Sequence, residues 1–331
     1  MKVLLTGAGG FIPSHVCAAL LQAGHSVRAL VHYNSRGSWG HLSSLSPHPS
    51  SLVPPPSSLE VVLGDVTDPY QIQRLAQGMD AIIHMAALIG IPYSYHAPAS
   101  YLATNAGGTL NILEAARQAQ VKRVIVTSTS EVYGTAQYTP LDEAHPLQAQ
   151  SPYAASKIAA DKLAESYYNS FNLPVVILRP FNTYGPRQST RAVIPTVLTQ
   201  ALAGVKEIRL GNLAPRRDLT FVEDTARAFV LALEAPGIEG KTIHFGQGWA
   251  VSVGELAQRC LEVVGSPARI VTGEERQRPE KSEVQLLLCN PARAEELLGW
   301  RPQVSLEEGL RRTAAYLREH LSEYKIEEYT V

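Results

Sequence analysis

The stretch Val3-Leu4-Leu5-Thr6-Gly7-Ala8-Gly9-Gly10-Phe11-Ile12 decides the fold. A short apolar run, fit for a buried strand, ends in glycines, and Ser14 to Ala23 beyond it has helical periodicity. Strand, glycine turn and helix in that order leave backbone N–H groups and the positive end of the helix facing outward, a seat for a pyrophosphate. Where a third glycine would let helix and strand pack closely the chain has Pro13, which suits a first helical turn but has no N–H. The phosphate contact therefore falls to Phe11 and Ile12, beside Gly7 and Gly10.

Outward from this loop the alternation repeats. Strands are expected near Val27 to Val31, Glu60 to Leu63, Ala81 to His84, Arg123 to Thr127 and Val175 to Arg179, with helices at Tyr70 to Ala76, Ala103 to Gln118 and Pro152 to Asn169. Such alternation makes a parallel sheet covered on both faces. Past Arg179 the rhythm loosens into proline-rich and glycine-rich stretches with helices at Ile194 to Ala203, Val253 to Val264 and Pro291 to Leu298. Phe221 to Leu233 reads as a strand start and a buried helix, and Thr242 to Phe245 as a strand. The fold class expected is α/β, a Rossmann-type doubly wound parallel sheet with a smaller C-terminal α/β substrate-binding lobe. The dinucleotide-binding domain takes 1–179 and returns at about 219–247, while 180–218 and 248–331 form the lobe. Leu42 to Ser58, rich in Ser and Pro, reads as a mobile surface insertion without packed structure.

Composition narrows the function. With 29 basic and 30 acidic residues in 331, the net charge of -1 offers no footprint for nucleic acid or an anionic membrane, so the expected partner is a small molecule. Cys17, Cys260 and Cys289 lie far apart, which suggests neither a metal site nor a disulfide framework and fits a reducing cytoplasm. The N-terminal apolar run meets glycine too soon for a secretory signal, and no stretch approaches the roughly 20 apolar residues of a membrane span.

The second strand of such a domain usually ends in a carboxylate that holds the adenosine ribose. Here Val31-His32-Tyr33-Asn34-Ser35-Arg36 has none. His32, Asn34 or Ser35 can hydrogen-bond a ribose and Arg36 can meet a 2'-phosphate, so NAD and NADP both stay open. Asp65, after the third strand, is placed either to contact the adenine amino group or to stabilise its own turn.

The chemistry centres on Tyr153 and Lys157, one helical turn apart in a helix that Ser151 can cap and Pro152 can begin. A phenol of ordinary pKa about 10 is a weak base at neutral pH, and a neighbouring ammonium favours its phenolate. Upstream, Val124-Ile125-Val126 runs into Thr127-Ser128-Thr129-Ser130-Glu131. If the chain stays extended, Thr129 and Glu131 face one side. Thr129 then hydrogen-bonds the hydroxyl that Tyr153 deprotonates, and Glu131 serves as acid or base one carbon further along.

Together these residues carry a resemblance. Thr6-Gly7-x-x-Gly10, His84-x-Ala86-Ala87, Thr104-Asn105-x-x-Gly108-Thr109, Ser128 to Gly134, Tyr153-x-x-x-Lys157, Arg179 to Arg187, Arg217-Asp218-x-x-Phe221-Val222-x-Asp224 and Leu298-Gly299-Trp300-x-Pro302 resemble the extended short-chain dehydrogenase/reductase family over nearly the whole chain. Tyr33 to Ser35, Ser38 to Gly40 and Ile91 to His96 resemble, within its nucleotide-sugar branch, the 4,6-dehydratases of legionaminic acid biosynthesis, which act on a nucleotide-linked N-acetylglucosamine. The resemblance implies bound NAD lined also by Val66, Ala86, Ala87, Asn105, Thr127 and Pro180, and a homodimer through a four-helix bundle of Ala103 to Gln118 and Pro152 to Asn169. Asn182, Arg187, Arg191, Arg217 and Arg278 fall in lobe loops where guanidinium groups can chelate a diphosphate, Asn182 and Arg217 foremost by resemblance, with surface charge the alternative for Arg191. Ser130 stands where many dTDP-glucose 4,6-dehydratases have an acidic aspartate, as in the GDP-mannose dehydratases, so Glu131 takes on both proton transfers or shares them with Ser130.

The rival reactions are decarboxylation of UDP-glucuronate and 4-epimerisation, the latter leaving Glu131 without a role. Outside enzymes, the rival is a dinucleotide-binding sensor, which retention of both Tyr153 and Lys157 disfavours. His84 is expected to pack beside the cofactor, Tyr93, Tyr95, Tyr167 and Tyr168 to be packing groups, and His41, His48 and His145 to be loop residues.

Overall fold

The computed structural model describes residues 1–44, 58–273 and 279–326. Its first strands and helices are β1 (Lys2–Thr6), α1 (Phe11–Gln22), β2 (Ser26–His32), β3 (Leu59–Gly64), α2 (Pro69–Ala76) and β4 (Ala81–His84). Then come α3 (Ile91–His96), α4 (Pro98–Tyr101), α5 (Gly108–Ala119), β5 (Arg123–Thr127), α6 (Pro152–Phe171) and β6 (Val175–Pro180). With β11 (Thr242–Phe245) these strands form a seven-stranded sheet in the order β11-β6-β5-β4-β1-β2-β3, all parallel. The reversal beside β1 opens a crevice at the C-terminal strand ends, where such sheets bind ligands. Strands β4 and β6 are buried along their whole length, which is why their sequences are continuous rather than alternating apolar runs.

Local signals explain the helix starts. Asp68 accepts the N–H groups of Tyr70 and Gln71 ahead of Pro69, and Ser151 accepts Ala154 N–H at 3.1 Å ahead of Pro152. Helix α1 begins three residues before the sequence suggests, because Pro13 sits inside its first turn without strain. The helix expected from Ala103 divides: Leu102–Gly107 is a π-helical turn and α5 starts at Gly108, pressed against Val66, where a Cβ would come within 2.8 Å of Cγ2. Leu42 corrects the insertion reading at its edge, since it is fully buried within the short helical turn Gly40–Ser44. The rest of that insertion, 45–57, and His48 with it lie outside the described residues.

The second core packs α7 (Val193–Leu202), α9 (Val253–Val264) and α11 (Leu306–Glu319) around Ile194, Leu198, Leu256, Cys260 and Leu310. Small sheets border it: β7 (Asn182–Tyr184) with β10 (Leu219–Phe221), β8 (Glu207–Leu210) with β13 (Arg269–Thr272), and β9 (Arg216–Arg217) between β12 (Val251–Ser252) and β14 (Leu286–Leu287). Helix α8 (Val222–Glu234) returns to lie on α1, and α10 (Ala292–Leu298) follows β14. Trp300, fully buried against Phe245 and donating Nε1–H to Asp224 O at 2.9 Å, joins the late chain to the first sheet. Trp300→Ala should lower stability by about 3 to 5 kcal/mol, read as a fall in the urea midpoint; a loss below about 1 kcal/mol would show that the site collapses around the gap.

Candidate active site

Sequence-distant residues meet where β1, β4 and β5 end. Gly7 turns with φ +70° against β4, and a Cβ there would lie 2.8 Å from Ala86 N and Cα. Thr6 Oγ1 accepts the N–H groups of Met85 and Ala86, each at 3.1 Å, and its own proton goes to His84 Nδ1 at 2.8 Å. Thr109 donates to Asn105 O at 2.6 Å, so its oxygen accepts from His84 Nε2 at 3.1 Å. Both ring nitrogens are thereby committed, and burial pushes His84 down to about 3, which makes it a neutral brace. No side chain caps α1, whose N–H groups at Phe11 and Ile12 open toward this cleft. Gly9 receives the carbonyl of Trp39, since a Cβ would stand 2.9 Å from it.

This cradle suits a dinucleotide diphosphate: a glycine turn with no room for side chains, and, among the described residues, a helix start that no side chain caps and a buried Thr127 Oγ1 at the end of β5 that meets no partner. Gly7→Ala should fold yet bind cofactor at least about tenfold more weakly, because left-handed backbone and a crowded Cβ both oppose it. Dinucleotide titration of the purified variant checks this, and unchanged affinity would mean that the loop is not the seat.

At the adenosine end, His32 Nδ1 lies 3.4 Å from Asp65 Oδ2, and Ser35 and Arg36 are exposed. Asn34 is occupied elsewhere: its amide bonds His32 O, Ser38 O and Ser38 N, which closes its own loop. Asp65 also stabilises its turn by accepting Thr67 N and Oγ1 at 2.8 and 2.9 Å. Asn105, fully buried in the π-helical turn, spends its amide on Leu88 N, Leu88 O and Ser156 Oγ. Its side chain thereby ties the π-helical turn to Leu88, just past Ala86 and Ala87, and to α6.

The reacting groups sit on α6 and the end of β5. Tyr153 is buried beside Thr129, and burial raises the phenol above its ordinary value, with the Thr129 hydroxyl opposing that rise and the Glu131 charge adding to it. Lys157 donates from Nζ to Thr127 O at 2.6 Å; burial pushes it down to about 8, with the carboxylate of Asp161 holding it up. The extended path expected for 129–131 is not what the chain takes. Thr129 Oγ1 accepts Glu131 N–H at 3.2 Å and starts the 3-10 turn Ser130–Tyr133, so Glu131 reaches the neighbourhood of Tyr153 by a turn and Ser130 is buried.

Tyr101, which sequence reasoning passed over, is buried edge-on to Tyr153 with centroids 6.2 Å apart and donates to Gly90 O. Nothing in its local pattern marks it. Tyr93 and Tyr95 are exposed rather than packed, and Tyr95 Oη meets Ser282 Oγ at 2.6 Å; Tyr167 is buried and donates to Glu114 at 2.6 Å, while Tyr168 is half-buried. His145 lies in a loop, as expected, but is buried there edge-on to Tyr133, and its Nε2 accepts Gln137 N–H at 2.9 Å. His41 is likewise partly buried, its N–H bonded to Gly9 O at 3.0 Å.

The substrate-side residues are spread out. Asn182 Oδ1 is buried at the start of β7 without a hydrogen-bond partner among the described residues, and Pro180 ends β6 opposite Phe245. Arg191 brings Nη1 to 3.5 Å from where a Gly90 Cβ would stand, close to Tyr101. Arg187, at φ +73°, donates to Ser14 Oγ at 3.1 Å and so clasps α1, while Arg217 donates to Glu283 at 3.2 Å. Arg278 lies outside the described residues.

Fold and site define a Rossmann-type enzyme of the extended short-chain dehydrogenase/reductase kind. The family described as GDP-mannose 4,6 dehydratase matches residues 4–313, and the chain belongs to it, among nucleotide-sugar 4,6-dehydratases and epimerases. A dTDP-glucose 4,6-dehydratase from an Actinoplanes species is 33% identical over 326 residues, 97% of this chain and 99% of that protein. A UDP-glucose 4-epimerase from Mycolicibacterium smegmatis is 33% identical over 323 residues, 96% of this chain and 99% of that one. The solved dTDP-glucose 4,6-dehydratase of Streptomyces venezuelae with NAD bound superposes with TM-score 0.87 at 32% identity, covering 98% of this chain and 99% of that one. No helix among the described residues is long and apolar enough to cross a membrane.

Proposed function

We propose that the chain is an NAD-dependent 4,6-dehydratase of a nucleotide-linked N-acetylglucosamine, carried by UDP or GDP. The observation that carries the reaction type is Glu131, a carboxylate turned toward a Tyr153–Thr129 pair that could oxidise and reduce C4 without it. The sugar assignment rests on Tyr33 to Ser35, Ser38 to Gly40 and Ile91 to His96, whose wording matches the legionaminic acid branch.

When bound, NAD supplies the hydride acceptor at C4, the donor at C6 and a positive ring charge beside the phenol. Phe11, Ile12 and Gly7 hold the diphosphate, and Thr127, Pro180 and Ala86 line the nicotinamide end. Tyr153, steadied by Thr129 and by the charge of Lys157, takes the O4 proton as C4 becomes a ketone. The ketone acidifies C5–H, which Glu131 removes; a proton from Glu131, with Ser130 beside it, leaves with the C6 hydroxyl as water. The hydride lost from C4 ends at C6 and a proton returns to C5. Asn182, with its open buried oxygen, Arg191 and Arg217 take the sugar nucleotide. The exposed Leu102, Leu110 and Phe171 on the 102–119 and 152–171 helices support a homodimer through those helices.

Incubation with NAD and, separately, UDP-N-acetylglucosamine, GDP-N-acetylglucosamine, dTDP-glucose and UDP-glucuronate, followed by mass spectrometry, tests this. Loss of one water from an N-acetylglucosamine nucleotide without net reduced cofactor is expected. Loss of carbon dioxide from the glucuronate alone would make the chain a decarboxylase.

A further inference from the structure

Behind Tyr153 and Lys157 lie buried charges to which the reaction assigns no task. Asp161 follows Lys157 by one turn of α6 and Tyr153 by two, so the three share a face, and Asp161 is fully buried. Its Oδ2 accepts from Ser128 Oγ at 2.7 Å and from Arg179 Nε and Nη2 at 3.1 and 2.9 Å. Its Oδ1 is sealed from solvent and meets no donor among the described residues.

Arg179, equally buried, gives a third proton to Tyr133 Oη at 3.1 Å. With that oxygen accepting, the Tyr133 proton goes to His244 Nδ1 at 3.1 Å, and His244 Nε2–H goes to Asn290 O at 2.8 Å. Burial pushes His244 down to about 4, which leaves it neutral, and beyond it the buried carboxylate of Glu143 lies 3.6 Å from Nε2 and accepts the His244 backbone N–H at 3.1 Å. Beside the reacting pair this leaves a buried carboxylate bound by Arg179, one turn of α6 beyond the buried ammonium of Lys157. A buried pair of this kind contributes little to stability over apolar packing, so its presence at a reacting centre calls for another account.

The groups around Lys157 narrow that account. Thr127 O accepts its proton from β5, and His84 of β4 faces it as a neutral ring. On its own helix stand the phenol of Tyr153 and the carboxylate of Asp161; Glu131 faces Tyr153, and Arg179 of β6 adds a fixed positive charge from beneath. Among the described residues that face Lys157, the fully buried negative charge is that of Asp161.

We propose that Asp161 is a positioning residue for the Tyr153–Lys157 pair, a buried counter-charge, clamped by Ser128 and Arg179, that holds Lys157 as an ammonium beneath Tyr153. This rests on the reading of Tyr153 and Lys157 as the reacting pair. The same clamp ties α6 to the strand end that carries Thr129, since Ser128 is its neighbour.

The test follows Lys157 itself, which needs no substrate: NAD-loaded protein labelled at lysine Cε is titrated by NMR, with Lys157→Arg identifying the resonance. Wild type should titrate near 8, where burial and Asp161 balance, and a Lys157 already neutral at pH 7 would overturn the proposal even if no variant folds. Asp161→Asn should lower that midpoint by about one unit, and an unchanged midpoint overturns it. Ser128→Ala, which removes a bond and no charge, should leave the midpoint in place; an equal fall there would make the effect one of packing. Failure of the substrate panel with this titration intact would remove the proposed reaction and leave the counter-charge.

Discussion

Tyr153→Phe is expected to lower kcat by about 10²- to 10⁴-fold, the span a positioned proton-transfer group contributes. The ring stays against Tyr101, so cofactor content and melting temperature should hold near wild type. A variant that kept a tenth or more of the activity would mean that another group takes the O4 proton. The pH profile carries the same chemistry. Lys157 is pushed down to about 8, so its charge is present below that pH and lost above it. The help it gives the phenolate fades on the alkaline side, and kcat should fall as pH rises through about 8.

Glu131→Gln separates dehydration from the simpler reaction. Tyr153, Thr129 and Lys157 remain, so oxidation at C4 proceeds, but nothing takes the C5 proton. Turnover should drop by about 10²- to 10⁴-fold while the reduced nicotinamide accumulates in the protein, seen as its near-ultraviolet absorbance on mixing with substrate. Full turnover with inversion at C4 would instead favour epimerisation, the activity named for the Mycolicibacterium smegmatis relative.

Much of the fold could be read from the chain because buried parallel strands and capped helices leave local marks. The run Val3 to Thr6 ending in glycine, and Ser151-Pro152 ahead of a long periodic segment, each name their element without help from elsewhere. The short strands β7 to β10 and β12 to β14 carry no such mark, since two to four residues set no clear period and their partners lie far along the chain. Helix α11 was missed although Ser305 caps it, because the segment is charged and only one stripe, Leu306, Leu310 and Leu317 among it, faces the second core.

The site divides the same way. Tyr153, Lys157, Thr129 and Glu131 were legible from spacing, but the turn that presents Glu131 was not, because it depends on Thr129 bending back to cap it. Asn34 and Asn105 looked like ligand contacts for having the right polarity at the right places. Their amides are consumed by Ser38 and by Leu88 and Ser156, contacts visible only once the loops are folded together. Tyr101, at the end of the short helix α4, and His145, in a loop, show the opposite case, where residues without a local mark are carried inward by the packing of others.

The most direct measurement follows one hydrogen. UDP-N-acetylglucosamine bearing deuterium at C4 is converted with NAD present, and the product is examined by NMR. Deuterium found at C6 of a 4-keto-6-deoxy sugar is the predicted result, since the hydride leaves and returns within one molecule. Deuterium still at C4 of an intact hexose, or lost from the product altogether, would contradict the account.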